Sequence, residues 1–453
     1  GERMHRLVSA WVLGVGLAVG FVACGGGSSG GARPGGADAS TDAPSKAEAG
    51  PQAEAAADAP GNADGAADAG VPSDAAPEGA GDDGGDGGFS PGSHPAWPIV
   101  LPNAGVVLKD MKLVTIVASN DPNAADLFAF DDGLVQSQWW SAFSTEYGLG
   151  TPSANVHVTG AAITGNPTEG TMEAYIAASV AAEADAGAGP DGNTMYMLYL
   201  PPGIDIIDTR GENTNCQYYG GYHAAYDKTG DAWGVVQHCP VANTGITDLQ
   251  SMTIIGSHEI AEGATDPDPS NGYTAGSPLT KQPWTQSPLV QTLFGEVGDL
   301  CSDTQWTEGS YTYQRIWSIA AAAKGFDPCV PTYPNQAYFN ASPANLWYTV
   351  KAGSGVKIPV VGWSDRPTPN WIIGPEVWTQ SVTGFAVSYQ SSLIEKTDAG
   401  SFYSTNNGDT SYLLVDAPVG AASGSWATVA LFNWIPGQPG DPYHIWFVGV
   451  YVP

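Results

Sequence analysis

His258, Glu259 and Glu262 are the residues of this 453-residue sequence best spaced to do chemistry. They lie in T-D-L-Q-S-M-T-I-I-G-S-H-E-I-A-E-G-A-T-D-P-D, residues 247–268. On a helix, His258 and Glu262 project from one face, one turn or ~6 Å apart along the axis. Glu259 is then rotated from His258 by roughly 100°. This is the layout of H-E-x-x-H metallopeptidases with Glu in place of the second His. The chemistry it suggests is hydrolysis by metal-bound water, with His258 and Glu262 as ligands and Glu259 as general base. The competing reading is a carboxylate cluster on a solvated helix face. The apolar run M-T-I-I-G-S before His258 points instead to burial, and buried His and Glu need partners such as a metal ion.

The helix carrying these groups is well signalled. Thr247 and Gln250 form a T-x-x-Q capping box, Pro267 ends the helix, and Leu249, Met252, Ile255 and Ile260 supply its apolar side. One helix cannot complete a catalytic zinc site, which needs three protein ligands plus water. Two other patches could contribute: His223 in G-G-Y-H, and Glu296 and Asp299 in G-E-V-G-D-L-C (295–301). Against these stand a structural histidine at 223 and a solvated turn at 296–299. Asp266 and Asp268, in D-P-D-P, read as a turn rather than a ligand set. One His and several carboxylates cancel much of the charge of Zn²⁺ and lean towards harder ions such as Mn²⁺ or Ca²⁺. His223 as a ligand would restore part of the Lewis acidity.

The positioning elements follow from hydrophobic patterning. K-L-V-T-I-V-A-S (112–119) reads as a buried strand, and 123–147 as a long amphipathic helix with Trp139, Trp140 and Phe143. Residues 171–186 form an Ala-rich helix, and N-T-M-Y-M-L-Y-L-P (193–201) a second central strand. Residues 216–226 and 233–238 make a hairpin turning at D-K-T-G-D. Beyond Cys329 a linker leads into short alternating strands over 336–453, the spacing of a β-sandwich. Trp347, Trp363, Trp371, Trp378, Trp426, Trp434 and Trp446 suggest either sugar stacking or core packing, and their apolar strands favour the core.

The N-terminal quarter has a different texture. Arg3, His5 and Arg6 precede an apolar run from Leu7 to Ala23, as in a signal peptide. F-V-A-C resembles a bacterial lipobox, which would make Cys24 a lipidation site. From Gly25 the composition collapses to Ala, Gly, Asp, Pro and Ser, too poor in apolar surface to fold. The expected organisation is a signal peptide over 1–24, a disordered tether over 25–94, an α+β domain over 95–331 and an all-β sandwich over 332–453. The net charge of −31 argues against nucleic acid and anionic lipid as partners. With Cys24 used for lipid, Cys216, Cys239, Cys301 and Cys329 form an even set suited to an oxidising compartment. Three pairings are open, and the local one, Cys216–Cys239 with Cys301–Cys329, is favoured.

G-Y-H, S-H-E-I-A-E-G-A-T-D-P and G-E-V-G-D-L-C, in this order, resemble the EXORDIUM-like, phosphate-induced protein family of plants and its bacterial relatives. W-W-S-A-F-S-T-E-Y-G and N-T-M-Y-M-L-Y-L-P-P-G add to the likeness, which spans about 100–330. The resemblance implies an exported protein with a zincin-like α+β domain. His223, His258, Glu259, Glu262, Glu296 and Asp299 carry over by motif match. Gly263 departs from relatives that have Ala or a larger residue there, and some plant members lack the His-Glu pair.

Two functions from different classes follow. One is a lipid-anchored, surface-exposed zinc-dependent hydrolase acting on protein, peptide or cell-wall glycan, with Zn²⁺ expected and Ca²⁺ or Mn²⁺ as alternatives. The other is a non-catalytic surface protein binding glycan or protein, its polar cluster structural or a remnant.

Overall fold

The computed structural model describes residues 89–97, 100–102, 105–207, 216, 220–226, 230–239, 246–269, 272–274, 295–302, 304–397, 400–436 and 444–453. The signal segment, Cys24 and residues 25–88 lie outside these. Phe89–Pro453 belong to one compact unit. The structure is mixed helix and sheet, with many strands in sandwich-like sheets.

The N-terminal part is built on a five-stranded sheet. Its strands are β1 (Lys112–Ala118), β2 (Ala154–Gly160), β3 (Thr194–Tyr199), β4 (Gly221–Tyr226) and β5 (Asp231–Val236), in the order β2-β1-β3-β5-β4. The first four in that order are parallel, and β4 is an antiparallel edge strand. Burial of both faces explains why β1, β3 and β5 read as nearly continuous apolar runs. On one face, Val114, Ile116, Tyr196, Leu198 and Trp233 pack with Met172, Ile176 and Val180 of α3 (Glu169–Ala182). On the other, Leu113, Val117, Met195, Met197 and Val236 meet α1 (Ala124–Leu134) and α4 (Asp248–Thr265).

The long helix expected over 123–147 is two helices, α1 and α2 (Gln138–Phe143). Ser137 causes the break. Its hydroxyl donates to the Leu134 carbonyl at 2.6 Å and accepts from the Trp140 N–H at 3.0 Å, capping a new helix in place of continuing the old one. Strand β2 and the hairpin β6 (Gln305–Glu308)–β7 (Tyr311–Gln314) were not expected from sequence.

Beneath α1, the buried Asp131 accepts hydrogen bonds from Thr115 Oγ1 (2.7 Å) and Tyr199 Oη (2.9 Å). Burial outweighs these bonds and pushes the Asp131 carboxyl up to about 7. A raised folded-state pKa means that the associated stability is complete below the unfolded value and is lost as pH rises through the folded one. Asp131→Asn should therefore gain up to about 4 kcal/mol relative to wild type between pH 4 and 8. Parallel stability–pH profiles in urea unfolding would rule this out.

The C-terminal part holds a four-stranded sheet (339–342, 355–364, 410–416, 386–390) and a six-stranded sheet (347–349, 444–451, 426–434, 371–380, 400–405, 393–397), each given in spatial order. Ile358, Val360, Leu413 and Val415 of the first share a core with Val429, Leu431, Val448 and Val450 of the second. Trp363, Trp371 and Trp446 are buried, as core packing requires, whereas Trp426 is exposed and Trp347, Trp378 and Trp434 are half-buried.

The boundary at 331/332 is bridged. Trp97 lies 5.6 Å from Trp317 on the α/β side and 5.9 and 5.0 Å from Trp363 and Trp446 of the sandwich (ring centroids). Residues 89–94, assigned to the tether by composition, belong to this junction. Gly92 N–H donates to Asn407 Oδ1 at 2.6 Å, Asn407 Nδ2 donates to the Ser90 carbonyl at 2.7 Å, and His94 stacks on Trp363 at 3.8 Å. Local composition could not reveal these long-range partners.

Candidate metal centre

Helix α4 starts with the expected reciprocal cap: Gln250 N–H donates to Thr247 Oγ1 at 3.2 Å, and Thr247 N–H to Gln250 Oε1 at 2.9 Å. From Ser251 to Thr265 every residue is buried, so the cluster is not on a solvated face. The helix lies against the sheet on one side and hairpin β6–β7 on the other. There Thr253 Oγ1 donates to the Thr312 carbonyl at 2.7 Å, and Gln314 N–H to Ser257 Oγ at 2.9 Å.

Seven ionisable side chains converge on it: His223, His258, Glu259, Glu262, Asp266, Glu296 and Asp299, none more than 5% exposed. The structure thus brings together all six residues singled out by sequence, and adds Asp266. Edge strand β4 delivers His223. A side chain at Gly221 would meet the Val235 carbonyl at 2.6 Å and Glu259 Oε1 at 2.9 Å, so only glycine lets the strand lie this close to α4. The 295–301 segment delivers Glu296 and Asp299, and the Cys301–Cys329 disulfide holds its end. Cys216–Cys239 forms the other disulfide, so the local pairing is the one observed. Two disulfides indicate an oxidising, extracellular setting. Among the described residues no helix is long and apolar enough to cross a membrane.

Glu262 is the hub. Its Oε1 accepts the backbone N–H groups of Gly298 (3.1 Å) and Asp299 (3.0 Å). Its Oε2 faces His258 Nε2 at 2.9 Å and His223 Nδ1 at 3.7 Å. His223 Nδ1 also lies 3.6 Å from Glu259 Oε2, and Asp299 Oδ1 lies 3.8 Å from His258 Nε2. Both histidines are fixed from behind. His223 Nε2 stands 3.2 Å from the Asp266 backbone carbonyl and 3.2 Å from its Oδ1. His258 Nδ1 meets Gln314 Nε2 at 2.8 Å, and that amide also donates to the Gly298 carbonyl at 2.7 Å.

Burial by itself would raise the Glu262 carboxyl, but the His258 and His223 imidazoles overcome it and hold the group down to about 2. Burial opposes charge on both imidazoles too. Asp266 and Glu259 nonetheless raise His223 well above its usual range, and Glu262 raises His258. Burial, then neighbouring carboxylates, push Glu296 and Asp299 well up, and burial lifts Asp266 to about 7. Protons therefore compete directly with any cation for this site.

The residues fit a divalent ion. Three overlapping groups, His258–Glu262–Asp299, His223–Glu259–Glu262 and His223–Asp266–Glu296, each place ligand atoms within 4.8 Å of one another. The 3.7 Å separation of His223 Nδ1 from Glu262 Oε2 is close to the ~3.4 Å that ligands keep on a tetrahedral ion with bonds of about 2.0–2.1 Å. Glu296 Oε2 and Asp299 Oδ2 are buried with no hydrogen-bond partner, a costly state that a cation relieves. At 2.9 Å, His258 and Glu262 are at hydrogen-bond distance, so an ion held by both would replace the proton between them.

Sequence reasoning set Asp266 aside as a turn residue. Its signal was the spacing: His258, Glu262 and Asp266 recur every four residues, one helical face extended by another turn. Gln314 and the two loop amides carried no such signal.

No family model matches the chain, and no curated protein matches it either. Among solved structures it is similar to domain 1 of VCBP3 from Branchiostoma floridae, at 15% identity over 26% of this chain and 97% of that chain, with a TM-score of 0.17. It is also similar to the GAE domain of yeast GGA1, at 8% identity over 27% of this chain and 95% of that one, with a TM-score of 0.14. Likenesses this weak carry no functional or fold assignment.

Proposed function

We propose that the buried constellation is a divalent-metal centre and that the protein is an exported metal-dependent hydrolase with a zincin-like, peptidase-like site. One observation carries this reading: imidazoles and carboxylates from α4, an edge strand and a disulfide-held loop converge out of water, with two carboxylate oxygens lacking any hydrogen-bond donor. The resemblance to EXORDIUM-like proteins supports the same assignment. In this reading Cys24 carries a lipid that anchors the chain to a bacterial membrane, and the Ala/Gly/Asp/Pro-rich segment tethers the folded part away from it. The substrate is a peptide or a cell-wall polymer.

His258, Glu262, Asp299 and His223 would hold the ion, with Zn²⁺ the first expectation and Mn²⁺ or Ca²⁺ favoured if carboxylates dominate the shell. Bound there, it would supply Lewis acidity and lower the pKa of water. The protein's own groups do the rest. Glu259 accepts a proton at its carboxylate and returns it to the leaving group. The Gly298 and Asp299 amides keep Glu262 ionised and aimed inward. Asp266 and Gln314 set the ring orientations of His223 and His258.

Glu259→Gln should lower kcat on a protein substrate by ~10²–10⁴-fold while leaving bound metal unchanged. A chelator should abolish turnover in wild type. Purified protein free of metal, or turnover indifferent to Glu259→Gln, would overturn the proposal.

A further inference from the structure

We infer that the outer face of the six-stranded sheet binds an uncharged linear polysaccharide, whose sugar rings stack on a row formed by Trp426, Tyr451 and Trp347. None of these residues belongs to the proposed metal centre, and binding here needs no catalysis.

Strand register fixes the face. Ala427, Val429 and Leu431 point into the core shared with the four-stranded sheet, so Trp426, Phe432 and Trp434 of the same strand point away from it. Val448 and Val450 likewise turn Gly449 and Tyr451 outward. Tyr451 stands directly opposite Trp426, and Trp347 directly opposite Gly449. Trp378, at the bulge in strand 371–380, packs on Phe432 with ring centroids 5.9 Å apart. Hydrophobic patterning favoured the core for every tryptophan of this region, whereas the pleat sends Trp347, Trp378, Trp426 and Trp434 outward.

The rings are laid flat. A side chain at Gly449 would run into Cε3, Cζ3 and Cδ2 of Trp347, so that indole lies across the strand. Trp434 covers Gly374 in the same way, its Cζ3 and Cη2 being 3.1 and 3.2 Å from where a Cβ would stand. Trp426 and Tyr451 are 36% and 38% exposed, and the Tyr451 and Trp347 centroids are 6.4 Å apart. Strands 347–349, 444–451 and 426–434 are successive neighbours, so the row crosses two strand spacings, ~9.5 Å. Contiguous exposed apolar surface of this kind marks a binding site.

The chemistry of the face selects the partner. Among the described residues, register places no lysine or arginine on it, and Glu376 and Glu395 are its charged groups. Anionic polymers and acidic lipid find no counter-charge there. A sugar ring is uncharged, and its axial C–H groups carry a slight positive charge that suits the negative face of an aromatic ring. Thr349, exposed and opposite Tyr451, adds a hydroxyl at the rim. A flat row one ring wide suits a chain of sugars better than a protein surface, whose anchoring side chains need pockets.

The test is retention of the full chain on insoluble cellulose, chitin and curdlan, read as depletion isotherms, with carboxymethyl cellulose as the anionic comparison. Binding to at least one neutral polymer is expected, and weaker binding to the anionic one. Trp426→Ala and Tyr451→Ala should each weaken it about tenfold, and the pair should abolish it. Trp426→Tyr and Tyr451→Phe keep a ring and should keep binding, which decides the matter if an alanine variant does not fold. No retention on any neutral polymer, or retention indifferent to both alanines, would overturn the inference. So would stronger binding to carboxymethyl cellulose, or a Trp426-dependent self-association in ultracentrifugation without glycan binding, which would give the face to a second copy of the chain.

Discussion

Glu262→Gln is expected to remove tight metal binding and to cost the metal-free protein about 3 kcal/mol at neutral pH. The side chain is the one place where the loop, both histidines and the helix meet. A glutamine oxygen can still accept the Gly298 and Asp299 amides at the Oε1 position. Its –NH₂ must then take the place of Oε2, turning a donor towards His258 Nε2 and His223 Nδ1 where an acceptor is needed. The pH dependence tests the cause. Glu262 is depressed from 4.5 to about 2, because the two imidazoles outweigh its burial. A depressed carboxyl contributes stability that is present above its unfolded pKa and lost as pH falls through the folded value. The gap between wild type and mutant should therefore be full near pH 5–7 and close between pH 4.5 and 2. A gap that persists at pH 2, or metal affinity within threefold of wild type, would sink the assignment of Glu262 as hub.

Gly298→Ala should be nearly as damaging, although it adds one methyl group. A Cβ at this position would lie 2.6 Å from His258 Nδ1, 2.8 Å from Glu262 Oε1 and 2.9 Å from His258 Cε1. Those atoms are fixed by α4 and by Gln314, so the loop must retreat. Both amide bonds to Glu262 then weaken, and Asp299 leaves His258. Overpacking plus two buried bonds to a charged group comes to about 3 kcal/mol or more. Gly263→Ala is the control. There the new methyl would crowd Met195 Sδ and Cε, at 2.6 Å, the far end of a flexible side chain, and would touch Ala232 Cβ at an ordinary 3.7 Å. It should cost less than ~1.5 kcal/mol and leave metal content intact. Equal losses from the two variants, by chemical denaturation and elemental analysis, would contradict the packing described.

Legibility followed the range of each interaction. Strand 371–380 was hidden by Gly374 and Pro375, which normally break a strand. It survives because the ladder to 400–405 stops at Ile372, so on that side no partner strand stands opposite Pro375. Strand β2 went unread because its partner β1 lies across a helical crossover. The break at Ser137 was missed because the apolar pattern continues through it, while a single hydroxyl decides the cap.

The sequence by itself determined helix α4 with its cap and its His-Glu-Glu spacing and the apolar strands of the sheet it packs on, and it favoured the two local disulfides. All are short-range properties: periodicity, capping and loop length act within a few residues or one closed loop. Only the tertiary structure decided what Glu262 touches, that His223 faces it with one nitrogen and Asp266 with the other, and that Gln314 and two backbone amides complete the surroundings. These contacts join residues tens of positions apart, and they depend on strand order and on glycines that let backbone approach side chain, which no local pattern encodes.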